Sequence, residues 1–158
     1  MEDSVAPVVV ETPESLKEYI GKEIGASEWL TITQERIAQF AEATEDRQWI
    51  HLDGERAGRE SPYRTTIAHG FLTLSLISRF MRDVIQVGGG FGMTINYGLN
   101  RVRFPSPVRA GSKVRARITL LSVKEVPRAY ETAFSVTVES ERGEKPCCVA
   151  ELIVRYYV

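Results

Sequence analysis

The stretch of sequence that decides the fold covers residues 67–87 and runs IAHGFLTLSLISRFMRDVIQV. Apolar or small side chains occur on both sides of this stretch, a pattern that predicts one long helix buried on most of its surface. Charge returns only near the far end, at Arg79, Arg82 and Asp83. The glycines at positions 88–90 are expected to end the helix.

The segments after this helix change to the pattern of β-strands, since they are rich in Val, Ile, Thr, Tyr and Phe. They cover residues 94–104, 113–126, 129–140 and 147–157. Between positions 114 and 120 apolar residues alternate with polar ones, so one face of the sheet is expected to contact water. A buried helix followed by four antiparallel strands predicts an α+β fold in which the sheet wraps around the central helix.

The sequence before the central helix supplies shorter elements. Residues 1–13 are rich in Val, Pro and acidic residues and are interpreted as an extended N-terminal arm or a loose terminus. The elements predicted next are a short helix at 15–20, a strand at 28–32 and a helix that begins after the N-cap Thr33. Residues 45–66 have no sustained period, and we expect an ordered excursion over the domain with a short helix near 55–59.

Length and composition limit the classes of protein to which this chain can belong. At 158 residues, with 43% hydrophobic and 26% charged residues, it fits one globular domain over residues 1–158. A net charge of −1 gives no general attraction for nucleic acid or for an anionic membrane. No signal peptide or membrane-spanning stretch is recognisable, and the adjacent Cys147 and Cys148 are poorly placed to bridge each other on a strand. We therefore expect a cytoplasmic protein with reduced thiols.

Residues with catalytic potential are few, because the chain has only 2 histidines. His51 lies five residues after Asp46, and His69 lies at the start of the central helix. An acid and an imidazole in a water-poor pocket can hold one water between them and move its protons, which suits addition of water to a polarised double bond. Taken alone, these residues also fit structural roles, His69 as a helix cap or a core hydrogen-bond partner, and Ser75 and Ser78 as packing residues.

A glycine at the start of the central helix adds a third chemical feature. The free N–H groups of a first helical turn favour developing negative charge, and a thioester carbonyl that becomes an enolate carries such charge. Gly70 lies at this position, and a glycine lets a substrate carbonyl approach the backbone closely. The order of an acid–imidazole pair followed by this helix start is more informative than any one of its residues.

The chain resembles a known family in three places. Asp46, the run His51-Leu52-Asp53 and the run Ala68-His69-Gly70 resemble the signature of MaoC-type hydratases. Residues 95–108, INYGLNRVRFPSPV, are similar to the strand and turn after the central helix of this family, especially in its NodN-related branch. The resemblance implies a hot-dog fold, an antiparallel sheet wrapped around a long central helix, with dimers joined edge to edge. It also implies an (R)-specific enoyl-CoA hydratase or dehydratase that interconverts trans-2-enoyl and (R)-3-hydroxyacyl thioesters.

The resemblance assigns roles to individual residues by position. Asp46 and His51 would form the catalytic pair that orients and deprotonates the water, and one of them would return a proton to the α-carbon. The backbone N–H of Gly70 would hold the thioester carbonyl. Three further residues would support the pair: Gln48, His69 and, through a hydrogen bond from the central helix, Ser78.

Two other functions fit the same pattern. A hot-dog acyl-thioesterase would use a carboxylate on or near the central helix, and residues 67–82 contain no Asp or Glu. A non-catalytic, NodN-like module that only binds acyl thioesters would keep the fold without turnover. Retention of Asp46, His51 and Gly70 together argues against this second alternative.

The expected partners are an acyl-CoA or acyl-carrier-protein thioester and a second copy of the chain, which would form a homodimer. No metal or redox cofactor is expected, since the glycine-rich run at 88–92 follows a predicted helix instead of preceding one. Basic residues should meet the phosphates of CoA, although arginines on a strand surface are more often simply solvated. The candidates are Arg101, Arg103, Arg109 and Lys113.

Overall fold

The computed structural model describes residues 6–158. The strands are β1 (Val8–Val10), β2 (Glu23–Ala26), β3 (Leu30–Thr31), β4 (Ile85–Val87), β5 (Met93–Arg103), β6 (Lys113–Val126), β7 (Ala129–Ser140) and β8 (Cys148–Tyr157). The helices are α1 (Gln34–Thr44), α2 (Trp49–Leu52), α3 (Gly54–Glu60), α4 (Gly70–Ser75) and α5 (Ile77–Val84), and a 3-10 helix covers Pro13–Tyr19.

The main sheet is antiparallel and follows the order β2-β6-β7-β8-β5, with β3 also paired to β6. The long strands predicted from the sequence are confirmed to within one residue at each end. Along β8, every second residue between positions 148 and 156 is buried, as the period of a half-buried strand requires. The helices α4 and α5 pack on this sheet, α5 against β2 and β6 and α4 against β8. The predicted α+β fold is therefore confirmed.

The start of the central helix differs from the prediction. The helix begins at Gly70, whereas residues 67–69 were expected to belong to it. Ile67 instead forms a β-bridge with Arg109, and the N–H of Ala68 donates to the carbonyl of Val108. These contacts hold the preceding backbone extended, so that the first helical N–H groups lie directly after His69. Leu76 then separates α4 from α5.

The far end of the helix also differs, and the expectation that the glycines at 88–90 end it is wrong. The helix ends at Val84, and Ile85 is already extended, with φ −137° and ψ 131°. The reason lies at the other end of the described chain, because β4 pairs in parallel with β1 from the N-terminal arm. The predicted arm is thus a strand over Val8–Val10, whereas its residues 1–5 lie outside the described residues.

The central helix is buried on one face, whereas the sequence predicted burial on most of its surface. Its buried side chains include Leu72, Ile77, Phe80 and Val84. The exposed positions Phe71, Ser75, Ser78 and Arg82 recur at spacings of four and three, which places them in one stripe along the helix. In the single chain this stripe lies beside β5, across open cavities. No helix within residues 6–158 is long and apolar enough to cross a membrane.

The elements that precede the site are of the predicted type, but their bounds differ from the predicted ones. The helix predicted at 15–20 is the 3-10 helix, and the strand predicted at 28–32 shrinks to β3. Thr33 caps α1 as predicted, since its hydroxyl accepts from the N–H of Arg36 at 3.1 Å. The short helix predicted near 55–59 is α3, whereas β2 and α2 were not predicted.

Candidate active site

The segment between α1 and α4 carries the candidate catalytic residues and is tied to both helices. Glu45 ends α1 in the left-handed conformation, with φ 62°, and turns the chain into Asp46. The short helix α2 then carries His51. The side chain of Gln34, from the first turn of α1, donates to the backbone carbonyl of His51 at 2.7 Å and accepts from the hydroxyl of Thr66. Gln34 was not predicted from the sequence. Its partners, His51 and Thr66, come beside the first turn of α1 only when the segment between α1 and α4 has folded.

The imidazole of His51 is buried and has one defined tautomer. Its Nδ1 lies 2.7 Å from the carbonyl oxygen of Ile67. A carbonyl oxygen only accepts, so Nδ1 carries the proton and Nε2 keeps its lone pair. Burial is the main reason that the pKa of His51 falls below its ordinary value of 6.5, whereas the hydrogen bond to Ile67 acts in the opposite direction. His51 is therefore a neutral base with a free Nε2 near neutral pH.

Asp46 and His69 complete a cluster around His51. The ring of His69 stacks on that of His51, with the centroids 3.7 Å apart and the planes at 24°. Its Nε2 lies 2.9 Å from the backbone oxygen of Asp46 and 4.0 Å from the carboxylate Oδ2 of the same residue. The Asp46 side chain is half-exposed, with a relative accessibility of 52%. The cluster thus places a carboxylate at the opening of the site and a neutral imidazole inside it.

The distances within the cluster suit one shared water. One side-chain donor or acceptor atom from each of Asp46, His51 and His69 lies within 4.8 Å of the others. A water that forms two hydrogen bonds of about 2.8 Å can bridge atoms at such separations. A divalent ion fits less well, because His51 Nδ1 and His69 Nε2 are already bonded to carbonyl oxygens. Those two nitrogens are therefore not available as ligands in this arrangement.

Gly70 supplies the start of α4 directly beside the cluster. As the first helical residue, its N–H has no acceptor within the helix. A Cβ at this position would lie 2.9 Å from Cδ2 of Phe104, so the ring of Phe104 approaches the backbone at a distance that only glycine allows. Gly70, Thr73 and Phe104 line a cavity of about 250 Å³. Ala68 and Gly70, the two chain neighbours of His69, line this cavity, so the cavity adjoins the cluster at the start of α4.

Comparison with known proteins identifies the family. A family model described as a MaoC like domain matches residues 15–142. The chain belongs to this family. The 3-hydroxyacyl-thioester dehydratase Z of Mycobacterium tuberculosis is 51% identical over 137 residues, which cover 86% of this chain and 89% of that protein. Nodulation protein N of Rhizobium leguminosarum bv. viciae is 47% identical over 135 residues, which cover 85% of this chain and 84% of that protein.

A solved structure supports the same assignment. The unliganded R-hydratase PhaJ1 from Pseudomonas aeruginosa matches with a TM-score of 0.67 at 27% identity, covering 84% of this chain and 80% of that chain. The predicted MaoC-type family, its NodN-related branch and the hot-dog fold are confirmed. The roles of individual site residues in this MaoC-like domain still rest on its own geometry.

Ser78, predicted from the family resemblance as a supporting residue, contacts β5 in the single chain. Its hydroxyl accepts from the side-chain amide of Asn96 on β5 at 2.8 Å. It lies more than two helical turns beyond Gly70, a rise of roughly 12 Å at ~1.5 Å per residue. Within the described residues Ser78 forms no hydrogen bond to Asp46 or His51, and its supporting role stays a prediction. Gln48 does lie beside the pair, with its backbone N–H 3.4 Å from Oδ1 of Asp46.

The predicted basic residues are scattered over the surface of this MaoC-like domain. Arg101 and Arg103 are exposed on β5, and Lys113 opens β6. Arg109 lines a cavity of about 200 Å³ together with Arg142. This cavity shares Ser106 and Pro107 with the cavity beside Gly70. Arg109 is thus the predicted candidate whose cavity adjoins the one beside Gly70, and Arg142 is a basic neighbour that the sequence did not reveal.

Proposed function

We propose that this chain is a 3-hydroxyacyl-thioester dehydratase, which reversibly hydrates trans-2-enoyl thioesters to (R)-3-hydroxyacyl thioesters. The observation that carries the proposal is the buried, neutral His51, which keeps its proton on Nδ1 and has a ring nitrogen within 4.8 Å of a carboxylate oxygen of Asp46. The identity of 51% to a 3-hydroxyacyl-thioester dehydratase supports the same reaction class. The R-hydratase with a related fold supports the stereochemistry.

In the proposed mechanism each group of the site acts on a defined atom of the thioester or of the water. The N–H of Gly70 donates to the thioester carbonyl and stabilises the enolate that forms there. Asp46 and His51 hold one water, and the pair accepts its proton as the hydroxyl adds to C3. The pair then returns a proton to C2, which restores the carbonyl and regenerates both groups. The water thus supplies the hydroxyl, and no other reactant is needed.

The thioesterase alternative finds no suitably placed carboxylate on the central helix itself. Thioesterases of this fold would use a carboxylate on or near this helix to direct water at the carbonyl carbon, and the one near its start is Asp46, which is paired here with an imidazole. The acid on this helix is Asp83, which lies at the far end and forms an ion pair with Arg79 at 2.8 Å. Asp83 is therefore held by an arginine and lies away from Gly70. The non-catalytic alternative is a module that binds acyl thioesters without converting them. Turnover of an enoyl thioester by the protein would exclude it.

The deciding experiment mixes the protein with crotonyl-CoA and with longer trans-2-enoyl-CoA thioesters. Hydration removes the absorbance of the conjugated thioester, a thioesterase releases a free thiol, and a binding module does neither. Asp46→Asn and His51→Ala should each lower turnover by about 10²–10⁴-fold with the fold preserved. Their effects should not add, because both residues act on one water. Near-normal turnover in either folded variant would reject the assigned pair.

A control variant comes from the same segment. Asp53 caps α3, where its Oδ1 accepts from the N–H of Arg56 at 2.9 Å. Asn caps helices about as well as Asp, so Asp53→Asn should preserve both the helix and turnover. The same charge is removed as in Asp46→Asn, but outside the cluster.

We also propose that the substrate is carried on CoA and that Arg109 and Arg142 contact its phosphates. Support comes from the cavity that both residues line, since it adjoins the cavity beside Gly70 through Ser106 and Pro107. Arginine recognises phosphate with paired N–H donors. The pantetheine arm would lie along the shared loop.

A homodimer joined through β5 is the proposed assembly. Almost the entire strand is exposed in the single chain, although it carries the large apolar residues Met93, Ile95, Tyr97 and Leu99. It forms one edge of the main sheet, and such an edge invites pairing with another strand. Two-fold symmetry is the commonest way in which identical chains close this contact.

The cytoplasmic location stays a prediction. The free, buried thiols of Cys147 and Cys148 support a reducing compartment.

A further inference from the structure

We propose that His69 is a positioning residue, which fixes the backbone of Asp46 and the ring of His51 in one rigid unit. This inference rests on the proposed hydratase function and deepens it. The contacts of His69 reach both catalytic residues, whereas no part of the proposed chemistry requires its ring to touch the substrate.

The first contact is the hydrogen bond to Asp46. The Nε2 of His69 lies 2.9 Å from the backbone oxygen of Asp46, which is 23 residues earlier in the chain. Since this oxygen only accepts, Nε2 is the donor. Asp46 needs such a tether, because it follows the left-handed Glu45 and its own side chain is half-exposed. The bond therefore fixes the position from which the carboxylate reaches the water.

The second contact is the stack on His51. The rings are 3.7 Å apart at 24°, and the ring of Phe40 from α1 packs on His69 at 5.0 Å and 54°. His51 is anchored at Nδ1 by Ile67, but one hydrogen bond leaves its ring free to tilt. The stack removes that freedom and aims Nε2 of His51 toward the water. Misplacing a catalytic group by about 1 Å can lower turnover by about 10²-fold.

A purely structural role explains His69 poorly. Its side chain is 3% exposed, and its Nδ1 has no hydrogen-bond partner among the described residues. A buried acceptor without a partner destabilises the fold, and a ring of carbon atoms at this position would avoid that cost. Phenylalanine would fill the space and stack on His51 equally well. What histidine alone adds is the Nε2 donor to Asp46.

Two variants separate the ring from the donor. His69→Phe keeps a ring and removes the donor, whereas His69→Gln removes the ring and places an amide N–H near the position of Nε2. We expect His69→Phe to lower kcat by about 10²-fold, with KM nearly unchanged and a melting temperature equal to or above that of the wild type. His69→Gln should recover only part of the lost kcat, because it restores the donor to Asp46 but not the stack on His51. Phe40→Leu is the packing control, since it contacts His69 without reaching either catalytic residue.

A second measurement does not depend on turnover. Hydrogen–deuterium exchange of the amides at 46–48 should increase in His69→Phe and stay near the wild-type rate in His69→Gln. Wild-type kcat in a folded His69→Phe variant would overturn the proposal, and so would equal losses in the two variants or a loss of kcat that follows the folded fraction. Absence of turnover in the wild type would reject the hydratase function, whereas unchanged exchange in His69→Phe would reject the positioning role.

Discussion

Gly70 gives the sharpest test of carbonyl binding, because its surroundings separate packing from catalysis. A Cβ at this position would lie 2.9 Å from Cδ2, 3.0 Å from Cγ and 3.1 Å from Cε2 of Phe104. Gly70→Val therefore forces the ring of Phe104 to move. The ring is 41% exposed and meets Phe71 edge-on at 6.1 Å, so it can swing toward solvent. Overpacking typically costs about 1–3 kcal/mol, and we expect the lower end of this range.

Gly70→Val should lower turnover by more than its loss of stability explains. The loss of turnover should also persist when the clash with Phe104 is removed. The new side chain extends into the cavity that Gly70 shares with Phe104, where the substrate carbonyl must approach the N–H. A blocked oxyanion donor lowers turnover by on the order of 10²–10³-fold. The double variant Gly70→Val/Phe104→Ala removes the clash, so its stability should return to that of Phe104→Ala alone. Its turnover should stay low.

Thermal melting and turnover are measured on the same preparations of the wild type, both single variants and the double variant. The reasoning fails if the double variant recovers turnover together with stability. Gly70 would then be a packing residue under Phe104, and the thioester carbonyl would have to bind elsewhere. It also fails if turnover of Gly70→Val follows the folded fraction.

The remaining predictions concern pH, the CoA carrier and assembly. The acidic limb of kcat/KM should have an apparent pKa below 6.5, because burial lowers the pKa of His51, and a limb above this value would contradict the assignment. Since the folded-state pKa lies below the unfolded one, urea stability should decrease as the pH falls through the ordinary value of 6.5, and His51→Ala should weaken this dependence. Arg109→Ala should raise KM for an enoyl-CoA but not for the same enoyl group on pantetheine, with Arg101→Ala as the exposed control; equal effects on both substrates would refute phosphate contact. The wild type should be a dimer by light scattering at micromolar concentration and Ile95→Lys should be a folded monomer, whereas a monomeric wild type would exclude the proposed interface.

The sequence predicted the main strands well because their signal is local. Side chains of β8, and of β6 as far as Leu120, alternate between the core and more exposed positions, and this alternation identifies both segments as strands. Thr33 is a similar case, since a cap depends on the next few residues only. The acid–imidazole pair was also visible, because Asp46 and His51 are close in the chain as well as in space.

The errors arose where a distant segment decides the local structure. Residues 85–87 are apolar enough to continue the helix, and only their pairing with β1 at the other end of the chain makes them a strand. Arg142 joins Arg109 through the β7–β8 turn, which no local pattern connects to the loop before β6.

The two histidines explain how an irregular segment can hold a rigid site. His51, near the start of the segment, donates to the carbonyl of Ile67 near its end, and His69, just beyond the end, donates to the carbonyl of Asp46 at its start. The bond from His51 to Ile67 closes a loop inside the one closed by His69 and Asp46, and the two imidazole rings stack on each other. Both acceptors are backbone carbonyls, so the two imidazoles hold main-chain atoms at each end of the segment. Thr66 adds a side-chain tie, because its hydroxyl donates to Gln34, which in turn donates to the backbone carbonyl of His51. The position of Asp46 relative to His51 is therefore held by hydrogen bonds to the main chain at both ends of an otherwise irregular segment.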